Sequence, residues 1–400
     1  MTTARYNRVT FSEVATFATA APSSLNSMTH IPAIDPAAPS VVQSFDEGNE
    51  TSADGSMSVK YPTAKEASYE LTTRVYTGDK SIASSGTDAT SAYLWKLLDS
   101  YFGMLADTSG AGTTVASGTG AVPVVTLATG INVGNALMFG GSGTDGSVRF
   151  AAAVSGTSIT VDDTIDTAAD FAAAAEVYSA FNWGPTMGAY APHIYFNWEG
   201  ADHNWLIGPG KVTSFKLAGM AAREGCRYVM GFSGDTYAAG INSGTFTPNA
   251  YTGSPLVSVG ATCNINGTDT AVGDFEIDFG VKHEPVTATS GNNGRAGWEI
   301  TEVAPTGSFT EYYASGRWTQ YAAATSIPLR FVIPVSTAGH VARAKGTIAV
   351  WFPNCNITVE EAVLNGQRAN KVSFQAKRPT AAQQANSVVS PVYFSVFGGT

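Results

Sequence analysis

Residues 205–232 read WLIGPGKVTSFKLAGMAAREGCRYVMGF, and residues 351–374 read WFPNCNITVEEAVLNGQRANKVSF. The two runs repeat one order of parts. In each, a Trp leads a short apolar stretch into a Pro turn, Gly208-Pro209-Gly210 in the first and Phe352-Pro353-Asn354 in the second. A strand-like run follows, Val212-Thr213 answering Ile357-Thr358. A Gly-containing connection comes next, with Leu217, Ala218 and Gly219 matched by Leu364, Asn365 and Gly366, and a second strand closes on Phe232 or Phe374. Val212 to Val229 spans 17 positions and Ile357 to Val372 spans 15. Few identities are shared, so the likeness is one of strand and turn pattern. It predicts two copies of one β-module.

The flanks of the two runs extend the likeness. Upstream of the first, Met57, Val59 and Tyr61, then Tyr69, Leu71, Thr73 and Val75, alternate with polar residues. That period predicts a strand pair with one buried and one exposed face. An acidic loop over 44–56 precedes it. Leu94, Leu97, Leu98, Tyr101 and Phe102 form one apolar helical stripe, with Thr90 or Ser91 to cap its start and Gly103 to end it. Ile194, Phe196 and Trp198 then lead into the first run. Around the second run, Phe275, Ile277 and Phe279 alternate with Glu276 and Asp278, and a long loop over 284–297 leads to Trp298–Ile300 and to a strand over 309–313. A shorter helix over 317–324 and a strand through Leu329, Phe331 and Ile333 complete the series.

The predicted fold is therefore mainly β: two tandem β-sandwich modules, each with a flanking helix. The first takes residues 46–106 and 181–238, the second 251–379, with the Gly-, Ser-, Thr- and Asn-rich 239–253 as their join. Residues 107–180 hold a single cation, Arg149, and strand-sized pieces at 122–127, 136–139, 147–154 and 158–161 bounded by Gly or Asp. They predict an inserted small β-barrel or sandwich, with a helical turn at the Ala-rich 168–175. Residues 1–45, interrupted by Pro22, Pro32, Pro36 and Pro39, read as an N-terminal arm. Residues 380–400 form a C-terminal arm whose apolar 389–397 can pair with its own sheet or another chain's edge.

Composition narrows the function. Apolar residues make up 44% of the 400 and charged residues 14%, against roughly 25% charged in ordinary soluble domains. Large neutral surfaces suit a subunit buried among its own copies. A formal net charge of −10 argues against gripping a phosphate backbone, which needs clustered Lys and Arg. It is compatible with a wall past which nucleic acid slides. Cys226, Cys263 and Cys355 have no metal-ligand spacing and read as free, buried thiols in a reducing compartment. The N-terminus lacks an apolar core of the signal-peptide type and no apolar run is long enough to span a bilayer, so a soluble, non-secreted chain is expected.

No chemistry stands out. Asp202-His203 lacks a nucleophile motif around it, and Gly208-Pro209-Gly210-Lys211 has Val212 where a phosphate loop requires Ser or Thr. The acidic stretch 269–278 alternates as a strand. No metal, cofactor or catalytic residue is predicted.

The two modules with their insert resemble the tail tube (major tail) proteins of long-tailed bacteriophages. The stretches that carry this are VTFSEVATFATAAPSSLNSMTHIP, NETSADGSMSVKYPTAKEASYELTTRVY, YLWKLLDSYFG and LIGPGKVTSFKLAG followed by VMGFSGDTY. INVGNALMF and VSGTSITVD in the insert are similar to small β-domains that decorate such proteins. The resemblance implies a virion structural protein of the tail, assembled in the host cytoplasm into stacked rings that conduct DNA on ejection. A duplicated chain implies homotrimeric rings of pseudo-sixfold symmetry, with hexameric rings as the alternative. Implied partners are further copies of itself, tail tip or baseplate and tail terminator proteins, and, in the lumen, the tape measure protein and passing DNA. Stacking loops carry over to Asp46, Glu47, Asn49, Glu50 and Asp54, and to Thr287, Asn292 and Asn293 in the second copy. Bridging arms carry over to Phe11, Phe17, Val392, Phe394 and Phe397. Glu276 and Asp278 are expected to face the channel. The runner-up reading is a surface protein that binds glycan through Trp198, Trp205, Trp298 and Trp318; a glycosidase would need a carboxylate pair that sequence does not place.

Overall fold

The computed structural model describes residues 8–14, 20–31, 33–34, 38–47, 60–75, 92–102, 113–119, 122–125, 131–140, 147–163, 176–185, 192–200, 204–219, 225–246, 260–292, 295–313, 318, 326–334 and 347–397. They are mainly β. The chain runs through β1 (Arg8–Val14), β2 (Thr29–Ile31), β3 (Ser40–Glu47), β4 (Lys60–Arg74) and helix α1 (Ala92–Phe102). The insert supplies β5 (Thr113–Thr119), β6 (Val122–Val125), β7 (Ala136–Gly140), β8 (Ser147–Ser155), β9 (Ser158–Val161) and β10 (Glu176–Trp183). The first module resumes with β11 (His193–Glu199), β12 (Asn204–Gly219), β13 (Arg227–Gly234) and β14 (Tyr237–Ala239). Then come β15 (Thr262–Ile265), β16 (Thr268–Asp278), β17 (Val281–Asn292), β18 (Arg295–Val303), β19 (Thr306–Tyr312), β20 (Ile327–Ile333), β21 (Ile348–Leu364) and β22 (Gln367–Ala376). Helix α2 (Ala381–Ala385) and β23 (Tyr393–Phe397) end the described chain.

Two long strands, β12 and β21, are the spines of two matching units. The first half of β12 pairs with β11 and β14, and its second half with β13. In the same way the first half of β21 pairs with β20 and β23, and its second half with β22. Pro209 and Pro353 lie where each spine changes partner, the position at which a residue without an N–H costs the ladder least. The two expected Pro turns are thus corrected: both prolines sit inside continuous strands. Outward from the spines, β13 pairs with β4 as β22 pairs with β19. The bridge between Ala33 and Thr73 occupies the place of the β16–β19 ladder, and the β3–β4 ladder the place of β17–β18.

The units join directly through their sheets. Lys216, Leu217, Ala218 and Gly219 of β12 oppose Asp278, Ile277, Glu276 and Phe275 of β16. One antiparallel sheet therefore runs β3–β4–β13–β12–β16–β19–β22–β21 through both units. Alternation along its strands points Tyr69, Leu71, Phe215, Leu217, Ile277, Phe309 and Val372 to one face, all buried. A second layer from β1, β2, β11, β15 and β20 covers them. Phe196 meets Phe232 at 4.3 Å, and Phe331 meets Phe309 at 5.3 Å and Phe374 at 5.7 Å between ring centroids. Each buried ring removes enough apolar surface from water to contribute about 1.5–3 kcal/mol.

Helix α1 forms where the stripe predicts, with Leu97, Leu98, Tyr101 and Phe102 buried. It lies on β12, and its Tyr101 hydroxyl accepts from Val281 N at 3.0 Å. The second helix, over 317–324, lies outside the described residues except for exposed Trp318, as does the turn at 168–175.

Several expectations are corrected. Residues 8–14 are not a free arm: β1 pairs with β11 at every position, and Phe11 is in the core. Of the strand pair expected over 57–75, residues 57–59 lie outside the described residues and 60–74 form one strand, β4, which pairs with β3 and β13. Ala67 carries the buried alternation that the polar run around it hides. The long loop over 284–297 is most of the β17–β18 hairpin; its backbone pairing overrides the poor strand propensity of its Gly, Asn and Pro. Strands β7, β8 and β9 match the predicted pieces of the insert. Its last strand, β10, also pairs with β23, so the insert continues the sheet of the second unit.

Candidate assembly surfaces

The sheet that runs through both units has one apolar face, spent on the core, and one polar face. Lys216, Glu276 and Asp278 stand together on the polar face where the units meet. Lys216 Nζ lies 3.6 Å from Glu276 Oε1 and 3.4 Å from Asp278 Oδ2. The two carboxylates, expected to make this face acidic, are thus partly offset by a lysine from the neighbouring strand. On the second-unit side the row beside them is neutral: Ser308 opposes Glu276, Ser373 opposes Ser308, and Thr358 opposes Ser373, whereas on the first-unit side Arg227 opposes Ala218 and Arg74 opposes Arg227. Among the described residues this face mixes hydroxyls with charges of both signs, Arg74, Arg227 and Lys371 beside Glu276, Asp278 and Glu360, rather than carrying a strand-long row of cations.

The β17–β18 hairpin is tied to the first unit at its Arg295 end. The Arg295 guanidinium pairs with both Asp235, which follows β13, and Glu66 of β4. Burial raises the Asp235 carboxyl to about 6, even though Arg295 pulls it down. Of the predicted stacking residues, Thr287 is exposed on β17 and Asn292 closes that strand. Asp46 and Glu47 end β3, while Asn49, Glu50, Asp54 and Asn293 lie outside the described residues.

The predicted arm residues go elsewhere. Val392, Phe394 and Phe397 are buried within the chain, and Phe394 sits 5.4 Å from Phe279 and 5.8 Å from Phe215. β23 lies between β21 and β10 of the same chain, so the bridging role expected of Phe11, Val392, Phe394 and Phe397 is corrected. Phe17 lies outside the described residues.

Two buried polar clusters were not singled out by sequence. In the first, Arg330 of β20 meets Asp162 at 2.5 Å and both Asp163 and Asp269 at 3.8 Å. Asn264 donates to Asp163 and Asp269 from β15. This clasp fastens the end of β9 in the insert to the second unit. In the second cluster, Lys211 of β12 is fully buried, with its Nζ 3.4 Å from the Ser100 carbonyl of α1. Burial lowers Lys211 to about 7. Burial, then the charge of Lys211, lower His193 to about 4 and His283 to about 3.

Asp202 and His203 lie outside the described residues. Among the described residues no group of three or more His, Cys, Asp or Glu could hold a metal ion, and no helix is long and apolar enough to cross a membrane. All three cysteines are free and buried. Of the tryptophans suggested for glycan binding, Trp198 and Trp298 are buried, Trp205 is half-buried and Trp318 is exposed. Neither a protein-family model nor a curated protein sequence matches this chain.

Proposed function

We propose that this chain is the repeating subunit of a phage tail tube: copies close into rings, and rings stack into the conduit through which DNA leaves the virion. The observation that carries the reading is the joint between the two units. It is head-to-tail, strand β12 of one unit against strand β16 of the next, and a repeated head-to-tail contact builds a ring when its rotation closes. Each unit contributes one stretch of sheet with a polar face, so repetition yields a wall that is hydroxyl-rich and charge-balanced on one side. Such a wall passes a polyanion without holding it. Three chains of two units make a pseudo-sixfold ring, and six chains are the alternative. The β17–β18 hairpin, fastened at one end by Arg295, is the element for contact between rings in this reading. Electron microscopy of the purified protein tests it: rings with a central hole, alone or stacked, support the tube. Stable monomers that bind a glycan array overturn it.

A further inference from the structure

We infer that the seam between neighbouring chains is a copy of the joint already formed inside each chain, with the free edge of β21 taking the place of β12. This rests on the ring reading above and assigns its contact residues. Among the described residues, the edge of β21 over 356–364 has a partner on one side only, β22. Val363 on it is 75% exposed; in its alternating row Ile357 and Val359 pack on the core, and the row leaves the core at exposed Glu361. An apolar residue on an unpaired strand edge is the feature that chains cover by adding a strand.

The ladders give the register of the missing strand. Phe232 and Tyr69 in the first unit stand where Phe374 and Gly307 stand in the second. On that match Ala218 corresponds to Ala362 and Lys216 to Glu360. The segment at the start of β3 corresponds to the end of β16, because Ser40 opposes Ser68 as Asp278 opposes Thr306. Glu276 then corresponds to Ala38, Ile277 to Pro39 and Asp278 to Ser40. Copying the inner joint therefore sets Ala362 against Ala38 and Glu360 against Ser40 of the next chain, with no like charges opposed.

Hydrogen-bond geometry agrees with this placement. Phe279 N donates to Phe215 O at 3.2 Å, so Ala218 and Glu276, three places further along the joint, are a non-hydrogen-bonded pair. In β21 the turn at Asn365 and Gly366, with φ of 51° and 77°, makes Leu364 and Gln367 a bonded pair. Counting back from it, the N–H groups of Ala362 and Glu360 serve β22, and those of Glu361 and Val363 point to the open edge. Pro39 at the place of Ile277 withholds one donor. The seam has one ladder bond fewer than the inner joint, and a proline on an open edge also discourages random strand addition.

Paired cysteines test the register, because the three native cysteines are buried and paired Cα atoms of a non-hydrogen-bonded pair lie within disulfide range. A218C/E276C is the inner control and should close within one chain. A38C/A362C should give, from oxidised particles, covalent multimers in a ladder that stops at the number of chains in the ring; mixing A38C with A362C should stop at dimers. Rings that form but give no such multimers overturn the seam and leave the tube reading standing. Crosslinked multimers without rings or tubes in the microscope support the seam and sink the tube. As a check that does not need cysteines, Glu361→Pro removes an edge-facing N–H and the exposed Glu361–Arg368 pair but no backbone bond to β22; it should abolish association with a melting temperature within a few degrees of wild type, and Glu361→Ala, which loses the pair alone, should still associate. Unchanged association of the proline variant would overturn the seam.

Discussion

Lys211→Met should make the protein more stable at neutral pH. The lysine is wholly buried, and burial lowers it from 10.5 to about 7. At about 1.4 kcal/mol per decade of proton affinity, that depression corresponds to an unfavourable contribution of about 5 kcal/mol when the group is charged. The sign follows from linkage. Between pH 7 and 10.5 the unfolded chain binds the proton that the folded chain has lost, so this group makes stability rise with pH across that window. The penalty is absent above 10.5 and complete below 7. Met fills a similar volume without the charge, and the upper bound on its gain at pH 7 is that same about 5 kcal/mol. With an unfolding entropy of roughly 2.1 cal/mol/K per residue, the chain should melt up to roughly 6 °C higher. The difference between variant and wild type should shrink as pH rises to 10. His193 and His283 should also lose less stability in acid in the variant, since Lys211 no longer repels their protons. Thermal melts of both proteins at equal concentration from pH 5 to 10 provide the comparison. A variant less stable than wild type at pH 7–9 would refute the reasoning, because Lys211 would then gain more from its partners than burial costs it.

Other expectations follow from the clusters and the sheet. Arg330→Met takes from Asp162, Asp163 and Asp269 the cation that pairs with them and leaves only the more distant charge of Arg149; a loss of about 3–5 kcal/mol is expected by urea unfolding, partly recovered by adding Asp162→Asn. Gly210→Ala would place a Cβ 2.1 Å from Ser233 O and 2.7 Å from the Gly234 Cα. Backbone cannot yield there as a side chain would, so a loss of about 1–3 kcal/mol or more is expected, read by thermal melting. Glu276→Lys with Asp278→Lys turns a balanced patch beside Lys216 into three cations. On the proposed tube this should slow DNA ejection from assembled phage in a salt-dependent way, and ejection at the wild-type rate in low salt would count against a channel-facing position.

The parts of the fold that sequence made legible are those with strong local periodicity. The α1 stripe and the alternation of Phe275, Ile277 and Phe279 each needed only their own residues. What misled was whatever depended on a distant partner. Pro209 reads locally as a turn, yet it sits inside β12 because β11 and β14 hold one half of that strand and β13 the other. Asn266-Gly267 carries a hairpin signal that was available and unused; with φ of 48° and 85° it is the tight turn between β15 and β16. The Arg330 clasp joins positions 162, 163, 269 and 330, which share no motif. Lys211 beside a Gly-Pro-Gly gives no local sign that α1 will cover it.

The same division explains why the assembly surface could not be read directly. Its signal is an absence: among the described residues, a ladder on one side of the second half of β21 and none on the other. Only the matching strand in the first unit shows what belongs there. β12 has the same place in its sheet, carries the same change of partner at a proline, and is covered by β16. A chain with one copy of the unit would leave both sides of the joint open and say nothing about register. By holding two copies, this chain displays one closed joint and the two edges of the proposed seam, with Ala362 on one edge and Ala38 on the other. The inner joint carries an ion pair, Lys216 with Glu276 and Asp278, whereas the proposed seam sets Glu360 against Ser40 and lacks one donor at Pro39. The seam should therefore be the weaker of the two, which lets chains fold completely before they associate.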